Sequence, residues 1–326
     1  MNEVTIVTEH DLTKFNGSTV RPKWEYEGLN KIGFKNIRII DKFDQTKVKD
    51  VKNTLIHAQQ LSGRFLEGSK YIVDIHGLEH IQSANLSEGF PIHSWKKYVF
   101  KAKSHYYKKL EIKMFKNACH LICSSEDIQE KVKKFQNSTL IRNAIFVDKF
   151  VPTKCNELKV ALVGPFIPGT INFEGLPLIK NVIKNLPKIE FIFIGKTNDQ
   201  FKEHLKFENA KFLGVVDNYA ESLSSCSILF APYPEYARYL GSKNKFLEAA
   251  ASKMPIVTTP SGAVDFRSDL LCIGKNSNEL ESLIMSLQNE NLRYELGTKL
   301  RTEIVEKFNV EIETKKLIKV YKDNMN

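Results

Sequence analysis

The chain has 326 residues, more than one ordinary hydrophobic core accommodates, so two domains of roughly 150 residues each are expected. Its hydrophobic content of 42% and charged content of 26% are typical of a soluble globular protein, and five scattered cysteines favour reduced thiols over a disulfide framework. The sequence has no run of about 18 apolar residues, and an acidic residue stands where a signal peptide would carry basic ones, which predicts a cytoplasmic protein without a membrane-spanning helix.

Short β-branched segments alternate with helical patterns along the whole chain. In the first half the predicted strands are residues 4–8, 37–40, 71–76, 120–124 and 139–142. In the second half they are residues 159–164, 190–195, 211–214, 227–231, 256–259 and 271–274. Nearly continuous apolar strands separated by helices are typical of parallel sheets covered on both faces. The pattern therefore predicts two doubly wound α/β domains.

The polar segment 148–157 contains Pro152 and lacks periodicity, so it is predicted to be the linker. We place an N-terminal domain at residues 1–157 and a C-terminal domain at residues 158–307. Residues 308–326 are predicted to form an amphipathic closing helix. Because ligands bind beyond the carboxyl ends of parallel strands, an active site is expected in the cleft between two such domains facing each other.

The net charge of +10 is concentrated in the first half of the chain, where residues 1–157 hold 26 Lys and Arg against 18 Asp and Glu. Much of the excess lies in residues 96–116, where lysines interleave with aromatic residues. This pattern is typical of a helix that lies on an anionic membrane surface, and equally of a solvated helix face, so both interpretations stay open. No nucleic-acid recognition motif accompanies the charge, so nucleic-acid binding is not predicted.

The most informative segment, residues 240–260, combines a glycine turn, a cationic first helical turn, one glutamate and a helix of small residues that leads into an apolar strand. Backbone N–H groups at a helix N-terminus attract phosphate, and Lys243 and Lys245 can add point charges. Glu248, one turn further on, can accept hydrogen bonds from ribose hydroxyls. The segment therefore predicts a nucleotide-sugar pocket.

The segments of the second half, in their order and spacing, resemble the retaining glycosyltransferases of family 4 (glycosyl transferases group 1). The similar stretches are residues 161–166, 191–195, 210–217, 226–233 and 245–259, with weaker similarity at 74–77, 122–126 and 141–152. The resemblance implies the GT-B fold, in which two Rossmann-like domains face each other across a cleft. It also implies transfer of a sugar from a nucleoside-diphosphate sugar to an acceptor hydroxyl with retention of configuration.

The resemblance also assigns roles to particular residues. His76 would hydrogen-bond the transferred sugar near its anomeric carbon, and Asp74 would help to orient the acceptor, so these two are the expected catalytic residues. The expected donor-binding residues are Gly17, Ser18, Asn143, Gly164, Lys196, Gly241, Ser242, Lys243, Lys245 and Glu248, of which Glu248 would bind the ribose. Family members need no metal, and the sequence has no Asp-x-Asp triplet to hold a cation, so neither a metal nor another cofactor is expected.

The sequence departs from the family pattern at three positions. Leu240 stands where many members have a first glutamate, and Pro165 and Glu174 stand where many have an arginine and a lysine. Losing a positioned cation beside a diphosphate leaving group typically costs about 3 kcal/mol of transition-state stabilisation. Something must replace it, and the available substitutes are Lys243, Lys245 and Lys196.

These departures leave a second hypothesis open, in which the chain is a catalytically decayed nucleotide-sugar-binding or scaffold subunit of a glycan-assembly complex. An epimerase or sugar-phosphate hydrolase would need a paired acid and base, and the sequence offers no convincing carboxylate pair. If the chain is an enzyme, the basic first half favours an anionic or lipid-linked saccharide as acceptor. That would place the protein in surface glycan, polysaccharide or glycolipid assembly, in the cytoplasm or peripherally at the inner face of the cell membrane.

Overall fold

The structure is a computed structural model that describes residues 3–14, 17–153, 156–168, 170–235, 244–263, 266 and 269–325. These residues fall into two compact units. The first unit comprises the described residues of Met1–Ile145 and Phe308–Asn326, and the second comprises those of Phe146–Tyr239 and Lys243–Lys307. The described part of the chain contains no helix that is long and apolar enough to cross a membrane.

The first unit is a six-stranded parallel sheet with helices. Its strands are β1 (Val4–Val7), β2 (Ile37–Ile40), β3 (Leu55–Gln59), β4 (Tyr71–Ile75), β5 (His120–Cys123) and β6 (Ser138–Leu140). Its helices are α1 (Gly17–Lys31), α2 (Glu79–Glu88), α3 (Trp95–Asn117), α4 (Glu126–Val132) and α12 (Val310–Asn324), with 3₁₀ helices at Gln45–Val51 and Gln60–Phe65. The strand order is β2-β1-β3-β4-β5-β6, so the order reverses at β1 and a ligand crevice is expected beyond the carboxyl ends of β1 and β3.

Strand β3 is the one strand of this sheet that the sequence analysis did not predict. All five of its residues are buried, and His57 and Gln59 alternate with apolar residues. Successive side chains of a strand point to opposite faces, so His57 and Gln59 lie on the same face of the sheet. Buried polar side chains need hydrogen-bond partners. Strand β3 therefore contributes polar contacts as well as apolar packing to the interior.

The second unit is also a six-stranded parallel sheet with helices. Its strands are β7 (Lys159–Val163), β8 (Glu190–Ile194), β9 (Ala210–Gly214), β10 (Ile228–Ala231), β11 (Ile256–Thr258) and β12 (Cys272–Ile273). Its helices are α5 (Ile171–Glu174), α6 (Leu176–Asn185), α7 (Asp199–His204), α8 (Tyr219–Ser224), α9 (Asn244–Ala251), α10 (Ser277–Ser286) and α11 (Glu290–Lys307), with a 3₁₀ helix at Val147–Lys149. The strand order is β12-β11-β10-β7-β8-β9, which puts the reversal between β7 and β10. Both doubly wound domains that the strand pattern predicted are therefore present.

The carboxyl ends of β7 and β8 approach each other closely at two glycines. Gly164 donates its N–H to the carbonyl of Ile194 at 2.7 Å. Gly195 has a positive φ of 118°, and a Cβ atom there would lie 3.2 Å from the Cα of Gly164. Both the left-handed backbone and the close approach favour glycine at residue 195, which explains the glycine that follows β8.

The chain passes between the units at Ile145–Phe146, earlier than the predicted boundary after residue 157. The difference arises because the predicted linker is bonded to the second unit. The N–H of Thr153 donates to the carbonyl of Ser252 at 2.8 Å, and the Arg293 guanidinium donates to the carbonyl of Asn156. A segment whose backbone groups are satisfied in this way belongs to the domain that satisfies them.

The last helix, α12, lies in the first unit, where it packs against α1. The packing is close at Gly28, where a Cβ atom would lie 2.5 Å from Cγ1 of Val310. Further along the helix, the buried hydroxyl of Tyr321 lies 2.7 Å from Nδ1 of His57 on β3. Helix α12 therefore contributes both apolar contacts and a polar contact to the interior of the first unit.

Candidate functional site

The reversal point of the second sheet carries a lysine. Lys245, in the first turn of α9, donates from Nζ to the carbonyl of Val163 at 2.6 Å and to Oδ1 of Asn172 at 2.6 Å. Its Nζ also lies 5.7 Å from the ring centre of Tyr233, which follows β10. Since Val163 precedes Gly164 at the end of β7, the ammonium group of Lys245 sits where ligands bind in sheets of this topology.

Helix α9 owes its position to its small apolar residues. Phe246, Leu247 and the three alanines 249–251 are buried, and the helix packs against β10, β11 and α11. Alanine side chains allow the helix axis to approach the sheet closely, which presents Lys245 and Glu248 at the edge of the packed face. The segment of small residues that stood out in the sequence therefore acts as the support of the candidate site.

Glu248 is paired with a tyrosine that the sequence analysis did not single out. Its Oε2 accepts a hydrogen bond from the hydroxyl of Tyr219 at 2.5 Å. Burial raises the pKa of the Glu248 carboxyl, and the bond from Tyr219 and the charge of Lys245 oppose that shift. Oε1 has no hydrogen-bond partner among the described residues. A carboxylate held at one oxygen and open at the other is well suited to accept hydrogen bonds from a diol.

The remaining donor-binding predictions in the second unit have different outcomes. Gly241, Ser242 and Lys243 lie outside the described residues. Lys196 follows Gly195 at the end of β8, with an exposed side chain and a carbonyl that accepts from the N–H of Phe166 at 2.8 Å. Within the described part of the chain, the structure thus brings Gly164, Lys245 and Glu248 to one sheet edge, and Lys196 extends from the neighbouring strand.

Gly17 and Ser18 were expected in a loop after β1, but they are the first two residues of α1. The hydroxyl of Thr19 donates to the carbonyl of Lys14 at 3.0 Å, which ties the first turn of α1 to the segment that follows β1. The first turn of an α-helix leaves its N–H groups without partners inside the helix. The correction therefore keeps backbone amides at the reversal point of the first sheet, but it supplies them from a helix.

Asp74 lies too deep for the expected role of orienting an acceptor. Its side chain is fully buried on β4, where both carboxylate oxygens accept from Nε of Arg21 at 3.1 and 2.9 Å. Burial alone would raise the pKa of the Asp74 carboxyl, but the Arg21 guanidinium and the hydrogen bond from His57 hold it well below its usual value. The structure therefore corrects this prediction, because Asp74 neutralises Arg21 inside the domain instead of facing a ligand.

His76 stands at the surface side of the same strand end. Its side chain is 10% exposed, and its Nε2 lies 2.5 Å from Oε1 of Gln59 and 3.9 Å from Oδ1 of Asp74. Burial lowers the pKa of His76 to about 3, which outweighs the opposing charge of Asp74. The imidazole is therefore neutral at physiological pH and can take part in hydrogen bonds without carrying a proton charge.

Arg21 and Glu25 are buried residues beside Asp74 that the sequence analysis did not single out. Arg21 also donates to the carbonyl of Ile141 at 2.9 Å and to Oδ1 of Asn143 at 3.3 Å, so Asn143 helps to hold this guanidinium. Glu25, one helical turn after Arg21, lies 3.2 Å from its Nε. Their spacing is that of an ordinary surface ion pair on a helix, so nothing in the sequence indicated that both side chains are buried.

Ligand atoms of Glu25, His57 and Asp74 lie within 4.8 Å of one another, a grouping that could suggest a metal site. However, the Arg21 guanidinium lies among them, 3.2 Å from Glu25 and 2.9 Å from Asp74. Arg21 therefore supplies the positive charge that a cation would bring, and we do not assign a metal to this group.

Helix α3 confirms that residues 96–116 are helical. Its inner face contacts α2, where the hydroxyl of Ser104 donates to the carbonyl of His80 at 2.7 Å and Oε1 of Glu111 accepts from the N–H of Glu79 at 2.7 Å. Its outer face carries an exposed stripe at helical spacing that consists of Trp95, Tyr98, Val99, Ala102 and Tyr106. Exposed lysines flank this stripe at positions 96, 101, 103, 108 and 109.

Residues 159–290 match the family model Glycosyl transferases group 1, a stretch that runs from β7 into α11. The matched stretch of the second unit is therefore similar to this family, as the resemblance of the sequence indicated. The matched stretch includes both Lys245 and Glu248. No curated protein sequence matches the chain.

Several solved structures share the fold over nearly the whole chain. Sucrose-phosphate synthase from Thermosynechococcus elongatus has a TM-score of 0.76 at 15% identity, with 98% of both chains covered. Anabaena HepE in complex with UDP and glucose has a TM-score of 0.72 at 11% identity, with 98% of this chain and 99% of that chain covered. WaaG, a glycosyltransferase involved in lipopolysaccharide biosynthesis, has a TM-score of 0.70 at 13% identity, with 99% and 100% covered. At these identities the likeness concerns the fold, and it confirms the GT-B fold.

Proposed function

We propose that the chain is a metal-independent glycosyltransferase that moves a sugar from a nucleoside-diphosphate sugar to an acceptor hydroxyl with retention of configuration. The observation that carries the proposal is the placement of Lys245 and Glu248 on α9 at the reversal point of the second sheet, inside the stretch that matches the glycosyltransferase family. An ammonium group suits a diphosphate and a carboxylate suits a ribose, so the two side chains together fit a nucleotide.

The charge at this site supports the same proposal. Pro165 and Glu174, which replace the cations of many family members, are both exposed. Lys245 instead reaches the end of β7 from α9 and contacts the carbonyl of the residue before Gly164. A cation at this position would stabilise the charge that develops on a departing diphosphate, so no metal is needed for that step.

The first unit would supply the group that faces the transferred sugar. His76 is neutral and stands at a strand end, so it is suited to hydrogen-bond a sugar hydroxyl. In a reaction with retention, the leaving phosphate takes the acceptor proton on the same face of the sugar. No dedicated carboxylate base is then required, which agrees with the burial of Asp74.

The outer face of α3 favours a membrane-associated acceptor, such as a lipid-linked saccharide used in surface glycan or glycolipid assembly. Five of its residues form an exposed stripe with three aromatic rings, and lysines flank it on both sides. Aromatic residues suit the interface of a bilayer, and each lysine near an anionic surface contributes about 1 kcal/mol. We therefore place the protein in the cytoplasm, at the inner face of the cell membrane.

Vesicle binding tests this placement. Replacing Lys101, Lys103, Lys108 and Lys109 by glutamine should abolish sedimentation with vesicles that contain anionic lipid, while turnover of soluble donor stays unchanged. The matched control replaces four exposed lysines of the second unit, Lys180, Lys184, Lys188 and Lys202. Equal loss in both variants would show that only net charge matters, and no loss in either would remove the membrane role of α3.

A donor screen tests the proposed activity. The purified chain is incubated without metal with UDP-, GDP-, ADP- and CMP-linked sugars, and its melting temperature is measured before release of the nucleotide is followed. Stabilisation by one donor together with slow release of its nucleotide is the expected result. Stabilisation without release, with every saccharide acceptor tried, would instead support the catalytically decayed binding subunit that the substitutions at Pro165 and Glu174 suggest.

A further inference from the structure

The ring of His76 is held by a single short contact from the neighbouring strand. Its Nε2 lies 2.5 Å from Oε1 of Gln59, the last residue of β3. Gln59 is 2% exposed, so water does not compete for this contact. The other ring nitrogen of His76, Nδ1, has no hydrogen-bond partner among the described residues.

The amide of Gln59 is oriented by the groups at its opposite end. Its Nε2 donates to Oε2 of Glu25 at 2.7 Å. With the NH₂ group directed at Glu25, the carbonyl oxygen of Gln59 faces His76. Because an amide oxygen can only accept, the proton of the neutral His76 ring must lie on Nε2.

The carboxyl group of Glu25 in turn interacts with Asp74 and Arg21. Burial and the charge of Asp74 raise the pKa of Glu25 well above its usual value, while the charge of Arg21 opposes the shift. Because Oε2 accepts from Gln59, a proton bound by Glu25 would lie on Oε1, which has no hydrogen-bond partner among the described residues. Arg21, 3.2 Å from Oε1 of Glu25, keeps that carboxyl group in place.

We propose that Gln59 is a positioning residue that holds His76 with its proton on Nε2, so that Nδ1 is presented as a hydrogen-bond acceptor to a hydroxyl group of the transferred sugar. The contact between Nδ1 and a sugar hydroxyl rests on the proposed function. The tautomer of His76 is inferred from its contact with Gln59. The low pKa of His76 keeps the ring neutral through the physiological range, so the acceptor at Nδ1 persists. A hydroxyl group on the sugar carbon that faces His76 can donate to this nitrogen. A sugar without a hydroxyl group at that carbon cannot make this hydrogen bond.

The tautomer of His76 can be measured directly on the full chain by long-range ¹H–¹⁵N NMR of the imidazole nitrogens. A His76→Gln variant assigns the signals. We expect the wild type to show one neutral tautomer with the proton on Nε2 at pH 7, and Gln59→Leu to lose that single tautomer. Gln136→Leu is the matched control, because the amide of Gln136 donates to the carbonyl of Ala118 in the same unit, at 2.9 Å. A wild-type proton on Nδ1, or an unchanged tautomer in Gln59→Leu, would overturn the proposal.

Turnover of the donor identified by the screen supplies the second readout. By analogy with partners that orient metal-binding histidines, Gln59→Leu is expected to lower kcat about tenfold or more with little change in the KM of the donor. Gln59→Glu keeps an acceptor facing Nε2 but adds negative charge, which raises the pKa of His76. Its activity should therefore decline toward acid pH at a higher pH than that of the wild type, because a protonated ring has no acceptor.

The two readouts separate the two claims. If no donor is turned over by the wild type while NMR shows the expected tautomer, the proposed function fails and the positioning by Gln59 stands. If donor is turned over and the pH profile of Gln59→Glu matches that of the wild type, the proposed function stands and Gln59 has only a structural role. If Gln59→Leu does not fold, the tautomer of the wild type and the pH profile of activity of Gln59→Glu still test whether Gln59 positions His76.

Discussion

Replacing Glu248 by glutamine tests the nucleotide site at its most specific contact. The amide is isosteric with the carboxylate and retains one oxygen that can accept from the hydroxyl of Tyr219, now at 2.5 Å from Oε2. The local packing of α9 should therefore persist. What the variant loses is the negative charge and the acceptor oxygen Oε1, which is the one open to a ribose diol.

The size of the loss follows from the strength of charge-assisted hydrogen bonds. A hydrogen bond to a charged group contributes about 1.5–3 kcal/mol, which corresponds to a roughly 10- to 150-fold change in an equilibrium constant. Because the amide can still make one weaker bond to ribose, we expect the lower part of this range. Kd for the nucleoside diphosphate should rise by about tenfold in Glu248→Gln.

Isothermal titration of the nucleoside diphosphate measures this Kd, and thermal unfolding without ligand verifies that the variant is folded. Glu281→Gln is the matched control, because this half-buried helix glutamate also accepts one hydrogen bond, from Asn185 at 2.9 Å. The control should bind as the wild type does. An unchanged Kd in Glu248→Gln would refute the ribose role and with it the carboxylate part of the site.

Three further predictions concern neighbouring groups. In Tyr219→Phe the pKa of Glu248 should rise, because the hydrogen bond that lowers it is gone, so pH titrations of nucleotide binding should show the loss toward acid pH at a higher pH than in the wild type. Lys245→Met should weaken binding of the nucleoside diphosphate about tenfold and leave binding of the nucleoside unchanged, as measured by titration with each, since only the diphosphate needs the cation. Because the pKa of Glu25 is higher in the folded than in the unfolded chain, its contribution to stability is full below its unfolded pKa and is lost as the pH rises through the folded pKa; Glu25→Gln should therefore show a smaller fall in melting temperature between pH 6 and pH 9 than the wild type.

The fold was predictable because its signals are local and repeated. Apolar β-branched segments such as 159–164 and 190–195 were bounded by glycines, and helical patterns lay between them, so two parallel sheets followed from the sequence alone. The position of Lys245 and Glu248 was also readable, because a helix of small residues directly before a strand indicates close packing on a sheet. The boundary at 157 was wrong because polar composition does not reveal that Thr153 is bonded to Ser252.

The buried network of the first unit could not be predicted, because its members are distant in the sequence. Arg21 and Glu25 look like a surface pair, and β3 was missed because His57 and Gln59 interrupt its apolar pattern. Only the folded sheet brings them beside Asp74, where each polar group finds a partner. Asp74 was correctly located at a strand end and wrongly given a substrate contact, since burial cannot be read from a single residue.

The two reversal points differ in charge, and this difference limits where the diphosphate could be stabilised. In the first unit Arg21 is already neutralised by Asp74, and His76 stays uncharged, so neither offers a cation to a ligand. In the second unit Lys245 donates to two neutral oxygens, and its charge also lowers the pKa of the nearby Glu248 carboxyl. Among these groups, Lys245 is therefore the cation that the proposed function assigns to the diphosphate, and His76 is the neutral group that it assigns to the sugar.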